Sequence, residues 1–235
     1  MLRMQAKNSL LRAAVERLDS RTLEEIPVKE LCDAAGVSEA SFFNYFPKKS
    51  DLLVYFVRIW SLDVSWRALH GIRGATARES IEEIFLETAR QAAAHPGVMS
   101  EVIAYQARME TPPDLHLTAA DRVVAFPDRP GIEDVPAGGL DTILPPLIDR
   151  AVLGGELPES TDRNMALLGF STIFLGLPVM ARRLGPSALG EMYIRLVGLF
   201  WEGLTAKGKR SPSKGHGRST GAKKRRRTST GGNER

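Results

Sequence analysis

Apolar residues return every three or four positions along most of the chain, the period of an α-helix with one buried face. Over Asn8–Asp19 they are Leu10, Leu11, Ala14, Val15 and Leu18. Val28, Leu31, Cys32 and Ala35 repeat the stripe at i, i+3, i+4 and i+7. Pro27 fits the first turn ahead of them, where its missing N–H costs little. Gly36 ends this second helix, because glycine enters the left-handed conformation easily. Ser38 is a good N-cap for a third helix over Glu39–Phe46, and Pro47 stops it. A fourth helix starts near Lys49, carries Leu52, Leu53, Phe56, Ile59 and Trp60, and extends past Trp66. Helix, tight turn and short helix here have the size of a helix-turn-helix.

The same period predicts helices over Ala77–His95, Gly97–Met109, Asp114–Phe126, Leu140–Leu153, Asp162–Leu184 and Pro186–Ala206. Pro127–Gly139 reads as a loop by its proline and glycine content. Pro145-Pro146 should kink the Leu140 helix or delay its start, and Gly185-Pro186 should separate the last two helices. No convincing period-2 alternation occurs, so the expected fold class is all-α. The chain divides into 1–60, 61–206 and a tail, 207–235, too poor in apolar residues to offset its ordering entropy.

Composition narrows the function. At 43% hydrophobic, 235 residues can bury a substantial core. No uninterrupted run of eighteen apolar residues is present, so no membrane span is expected. The N-terminus lacks the apolar stretch of a secretory signal. Cys32 is the single cysteine, which excludes an intrachain disulfide, suits a cytoplasmic protein and reads as buried filler. The net charge of +4 is unevenly spread. Ala206–Arg235 has eleven Lys or Arg against one acid, whereas Met1–Ser61 sums to +1 and Leu62–Thr205 to −7. A basic end on an acidic body suggests a polyanionic partner.

Enzyme signatures fail individually. There is no phosphate-cradling Gly-x-x-x-x-Gly-Lys, no His-Glu-x-x-His and no Cys-x-x-Cys. Gly169–Ile173 begins like a nucleophile elbow but lacks its last glycine and a preceding strand. His95 and His116 lack ligand spacing, so neither a metal nor a cofactor is expected.

The segment "VKELCDAAGVSEASFFNYFPKKSDLL", Val28–Leu53, resembles the DNA-binding domain of the tetracycline-repressor (TetR) family of bacterial transcription regulators. The shared features are the Ala35-Gly36-Val37-Ser38 turn, the aromatic run Phe42–Phe46, Pro47, Lys49 and Leu52-Leu53. The likeness covers about Asn8 to Trp60, with a weaker echo in "VLGGELPESTD". It implies that 1–60 is a DNA-binding domain and 61–206 a helical effector-binding and dimerisation domain. It also implies a homodimer on a palindromic operator, formed through the two long C-terminal helices. A small molecule would then move helix 4 and release the DNA.

Physical reading assigns Phe42 and Phe46, at i and i+4, to the core, where each contributes roughly 1.5–3 kcal/mol. The opposite face carries Ser38, Glu39, Ala40, Ser41, Phe43 and Asn44, which the family likeness turns toward DNA. Asn44 suits an adenine edge. Phe43 stands where the family usually has tyrosine, and can keep apolar contact with a thymine methyl. Tyr45 and Lys49 match phosphate-contacting positions, Lys48 lies beside Lys49 at the start of helix 4, and Lys29 matches a helix 2 position that reaches DNA in some members. Glu39 either complements the helix dipole or accepts from a cytosine amino group. Pro27 replaces a capping Ser or Thr that often reaches phosphate.

Helix position and apolar character nominate Trp66, Phe85, Tyr105, Met109, His116, Phe126, Phe174 and Met180 for an effector pocket. For the dimer interface the candidates are Leu167, Leu168, Ile173, Phe174 and Leu175 on one long helix. On the other they are Tyr193, Leu196, Val197, Phe200 and Trp201, at i, i+3/i+4 and i+7/i+8. The run Ala222–Arg227, "AKKRRR", is either a solvated tail or a source of sequence-independent DNA affinity. Its strong form is an architectural DNA binder.

Overall fold

The computed structural model describes residues 2–70, 75–108, 115–181 and 188–208. These form helices α1 (Leu2–Leu18), α2 (Val28–Ala35), α3 (Glu39–Tyr45), α4 (Asp51–His70) and α5 (Ala77–Ala94). They continue as α6 (Pro96–Arg108), α7 (Ala119–Ala125), α8 (Leu140–Leu153), α9 (Arg163–Ala181) and α10 (Ala188–Gly208). A 3-10 turn, Ile132–Asp134, interrupts the loop before α8. Among the described residues there is no strand, and the fold is all-α.

Local signals explain most boundaries. Gly36 adopts φ 67°, the left-handed cap that ends α2. The Ser38 hydroxyl accepts the Ser41 N–H and opens α3. Pro27 is the N-cap of α2 rather than its first helical residue. α1 starts at Leu2 rather than Asn8. Its early turns also bury side chains, Met4 against Tyr55 and Lys7 over the rings of Phe46 and Tyr55. α7 begins later than the expected Asp114 because Thr118 and Asp121 form a reciprocal capping box. α8 runs through Pro145 and Pro146 with no delay to its start. Met109, the Gly185-Pro186 break and the tail beyond Gly208 lie outside the described residues.

The helices enclose two hydrophobic cores. One gathers Leu10, Leu18, Leu31, Phe42, Phe46, Leu52, Tyr55 and Leu62, and draws in Val98, Leu117, Ile132 and Val135 from beyond the helix-turn-helix. The other centres on Ile81, Phe85, Leu144, Ile148, Phe170, Phe174 and Tyr193. α4 serves both: Leu52, Tyr55 and Leu62 face the first, Trp60 and Val64 the second, and Phe56 packs against each. A seam at residue 60 therefore falls in the middle of a shared helix.

The loop after α7 is fastened by its polar groups. The Arg129 guanidinium lies 5.0 Å from the Trp66 ring centre and 4.5 Å from that of Phe126, and pairs with the Asp63 carboxylate. Trp66 Nε1 donates to the Pro130 carbonyl and Arg58 to that of Ala137. The "GGEL" echo also has a structural use. Glu156 accepts the first N–H groups of α5, from Ala77 at 2.7 Å and Arg78 at 3.1 Å.

By length and composition alone α9 could cross a membrane, a test that the core helix of a folded protein passes as well. Ala166, Phe170, Phe174 and Leu177 on its inner side belong to the second core. Pro178 lies inside this helix and has no N–H to offer the carbonyl of Phe174 four residues earlier. Tyr193 on α10 supplies the missing donor, its hydroxyl 2.7 Å from that carbonyl. Burial pushes the Tyr193 phenol above its ordinary range, so it stays a donor. Tyr193→Phe should cost about 1–2 kcal/mol, because it leaves the carbonyl buried and unsatisfied. In a Pro178→Ala background, where the helix can supply its own N–H, urea unfolding should show most of that cost gone. An equal cost in both backgrounds would refute the pairing.

Candidate nucleic-acid interface and internal cavity

α3 divides by face as its spacing requires. Phe42 and Phe46 are fully buried, with ring centres 5.7 Å apart, and Phe46 lies 5.5 Å from Tyr55. On the other side Phe43 is 48% exposed, beside exposed Ser38, Glu39, Ala40 and Asn44. Ser41 is half-buried, with its hydroxyl 3.0 Å from that of Ser38. Tyr45 is half-buried under the Arg3 guanidinium, 5.7 Å from the ring centre. Lys48 is exposed and Lys29 pairs with Asp33 at 3.0 Å on the surface.

Lys49 differs from the sequence reading. Its ammonium donates to the carbonyls of Glu24 and Ile26, at 3.1 and 3.0 Å. It therefore clasps the loop between α1 and α2, with at most one donor left for a phosphate. That loop is held at its other end by Glu30, which accepts from Arg17 at 2.6 Å and from Arg21 at 2.6 and 3.0 Å.

The bonds from Arg21 and then Arg17 hold the Glu30 carboxyl at about 2, below its ordinary 4.5. A carboxyl depressed on folding stabilises fully above its unfolded value, and loses that contribution as pH falls through the folded one. The difference in urea midpoint between the parent chain and Glu30→Gln should hold near neutrality and shrink from about pH 4.5 toward 2. A difference that stays constant over that range would exclude the ion pairs as its source.

In the second half a cavity of about 490 Å³ opens between α4, α5, α6, α8 and α9. Its walls include Phe56, Val57, Trp60, Val98, Met99, Leu140 and Phe174, with Thr88, Gln91, His95, Gln106, Asp141 and Ser171 as polar points. The size is within the usual range for small-molecule sites. His95 also reaches the first core's helices: its Nδ1 is 3.1 Å from the Asp19 carboxylate just beyond α1. Two residues on, Gly97 meets the Leu18 carbonyl so closely that a Cβ there would collide with it.

Of the nominated pocket residues that the structure describes, Phe174 alone lines this cavity, and Met109 lies outside the described residues. Phe85 is fully buried behind it, with ring centres 5.3 Å apart. Trp66 and Phe126 instead hold the Arg129 loop, Tyr105 packs on the first core, and His116 and Met180 are exposed. Trp60, Gln91, His95, Gln106 and Asp141 line the cavity without having been nominated for a pocket by the sequence. Their helical spacing is the same whether a stripe walls a hollow or fills a core. Among the described residues no three His, Cys, Asp or Glu side chains converge.

The residues nominated for a dimer seam divide: Leu168 and Leu196 are exposed and the others turn inward. Tyr193, Val197 and Trp201 are inner core residues, at 0%, 0% and 4% exposure, packed toward Phe85, Phe170 and Phe174. Leu167, Ile173, Leu175 and Phe200 lean on the same core, Phe200 over Gly169. The outward apolar face is formed by Met165 and Leu168 on α9 with Leu196 and Leu199 on α10.

Residues 10–56 match the profile of bacterial regulatory proteins of the tetR family. Comparison with curated proteins finds no significant match. Solved structures align over most of the chain. FadR of Thermus thermophilus, a TetR-family transcriptional repressor in complex with lauroyl-CoA, is 17% identical, with TM-score 0.59 over 89% of this chain and 98% of its own. FadR of Bacillus subtilis in complex with stearoyl-CoA is 17% identical, with TM-score 0.57 over 86% and 99%. A protein studied for control of antibiotic production by a bacterial hormone is 22% identical, with TM-score 0.57 over 84% and 96%. At these identities the likeness is one of fold.

Proposed function

We propose that the chain, whose residues 10–56 match the profile of bacterial regulatory proteins of the tetR family, is a cytoplasmic, dimeric transcription repressor released from its operator by a small molecule. The observation that carries this reading is the two-sided α3. Two buried phenylalanines anchor it, and Phe43 and Asn44 are offered outward. A short helix held this way can enter a major groove, with Asn44 at an adenine edge and Phe43 against a thymine methyl. Ser38, Glu39, Ala40 and Ser41 lie beside them, and Lys29, Tyr45 and Lys48 flank them for the phosphates. No catalytic role is assigned to any of these residues.

The exposed apolar face of Met165, Leu168, Leu196 and Leu199 supports dimerisation through α9 and α10. The cavity supports ligand control, since one wall residue, His95, touches the Asp19 carboxylate beside the helix-turn-helix.

Selection of bound sequences from random DNA by the purified chain tests the reading. A two-fold-symmetric site is expected, with Asn44→Ala relaxing one base position in each half-site. A featureless pool would reject sequence-specific regulation and favour a tail-driven architectural role. A monomer by sedimentation at micromolar concentration would reject the dimer.

A further inference from the structure

α1 opens well ahead of Asn8, and its added turns are anchored. Met4 is buried, with its sulfur 3.6 Å from the Tyr55 hydroxyl, and Lys7 is buried over the rings of Phe46 and Tyr55. Arg3 turns the other way. It is exposed, and its guanidinium lies 5.7 Å from the ring centre of Tyr45, the last residue of α3. Among the described residues no carboxylate pairs with it. The first helix thus lays a cation on the end of the third.

An α-helix with its side chains is about 10–12 Å across, and the major groove is about 12 Å wide. A helix seated there fills the groove, so its leading face meets the bases and a group held beside it meets the phosphates. Phe43 and Asn44 are exposed on that leading face. Tyr45 is half-buried at the helix end, so the cation above it belongs to the flank. Contact with the face of a ring uses none of the guanidinium N–H donors, which stay free for a bidentate bond to phosphate oxygens. The ring also restricts a long side chain in advance, and so reduces the entropy lost when DNA immobilises it. The Lys7 pKa is lowered, by burial first and by the Arg3 charge as well, against the opposing pull of Asp121. The two cations therefore repel, and a phosphate arriving at Arg3 relieves part of that repulsion.

We propose that Arg3 is a phosphate-binding residue of the DNA interface, and that the Tyr45 ring, rather than its hydroxyl, serves the interface by positioning Arg3. The inference rests on the DNA-binding reading of α3 and adds to it a residue from a different helix.

The test measures the affinity of the full chain, basic tail included, for a fluorescent duplex carrying the selected site and for one of scrambled sequence, over a range of salt. In Arg3→Ala the log–log slope should fall by about 0.9 for each chain bound, and the affinity for both duplexes by the same factor. Because this contribution is independent of sequence, the scrambled duplex reads it whether or not a preferred site exists. Arg3→Lys, which keeps the charge, should retain the slope, and Tyr45→Phe should behave as the parent. Tyr45→Ala should overlap with Arg3→Ala, the double variant losing less than the product of the two single losses. An unchanged slope in Arg3→Ala would overturn the phosphate contact. So would a loss confined to the selected site, which is the mark of a base reader. A loss in Tyr45→Phe, or single losses that simply multiply, would overturn the positioning role. A parent chain that binds neither duplex would sink the DNA-binding reading together with this one, whereas binding with the slope unchanged in Arg3→Ala sinks this one alone.

Discussion

Phe46→Ala is expected to destabilise the N-terminal core by about 3–5 kcal/mol, the usual cost of emptying a buried phenylalanine site. The ring is fully buried between Phe42 and Tyr55, with the Lys7 ammonium 5.9 Å from its centre. Lys7 is itself buried, and burial lowers its pKa, so the truncation also removes an aromatic face from a poorly solvated cation. Phe46 is also the C-cap residue of α3, its N–H 2.8 Å from the Phe42 carbonyl, a backbone bond that alanine keeps, so the cost measures the ring alone. Urea unfolding followed by circular dichroism measures the cost. The control is Phe43→Ala, three residues away and half-exposed, which should change stability by less than about 0.5 kcal/mol while weakening DNA binding. Similar costs for the two would mean that α3 is not anchored by one face.

The second large effect is expected at the joint between α5 and α6. His95 closes α5, Pro96 opens α6, and Gly97 lies against the last carbonyl of α1. Gly97→Ala forces that methyl into backbone atoms of Leu18 and Asp19, which cannot rotate away as a side chain would. The expected cost is about 3 kcal/mol, the upper end for overpacking. It should come with a weaker His95–Asp19 contact, because the same displacement parts those residues. A thermal scan together with the His95 imidazole resonance would register both. An unchanged melting temperature would show that α1 and α6 are not in contact in solution.

What could be read in advance depended on how local its cause is. Gly36, Ser38 and Pro47 act within a few residues, and the turn and α3 formed where they indicate. The division of α3 into Phe42/Phe46 and Phe43/Asn44 follows from spacing on a single helix. The cavity was not legible in this way. Trp60, His95 and Asp141 come from three helices, and their convergence depends on how those helices cross. The α10 stripe shows the same limit. Tyr193, Val197 and Trp201 announced an apolar face correctly, but periodicity cannot say whether that face meets a second subunit or the chain's own α5 and α9. Pro178 is a further case, a helix breaker made tolerable by a hydroxyl fifteen residues later.

The inward turn of the N-terminal cations has a consequence for counterions. Lys7 is buried, Lys49 holds two backbone carbonyls, Arg17 and Arg21 share Glu30, and Arg58 bonds to Ala137. Arg3, Arg12, Lys29 and Lys48 remain exposed on that half of the molecule. Each phosphate neutralised releases condensed ions and adds roughly 0.9 to the log–log dependence of affinity on salt. Those four cations set a modest ceiling on what the folded head can displace. A steeper dependence would identify the eleven cations after Ala206 as the part of the chain that feels the ionic atmosphere of DNA.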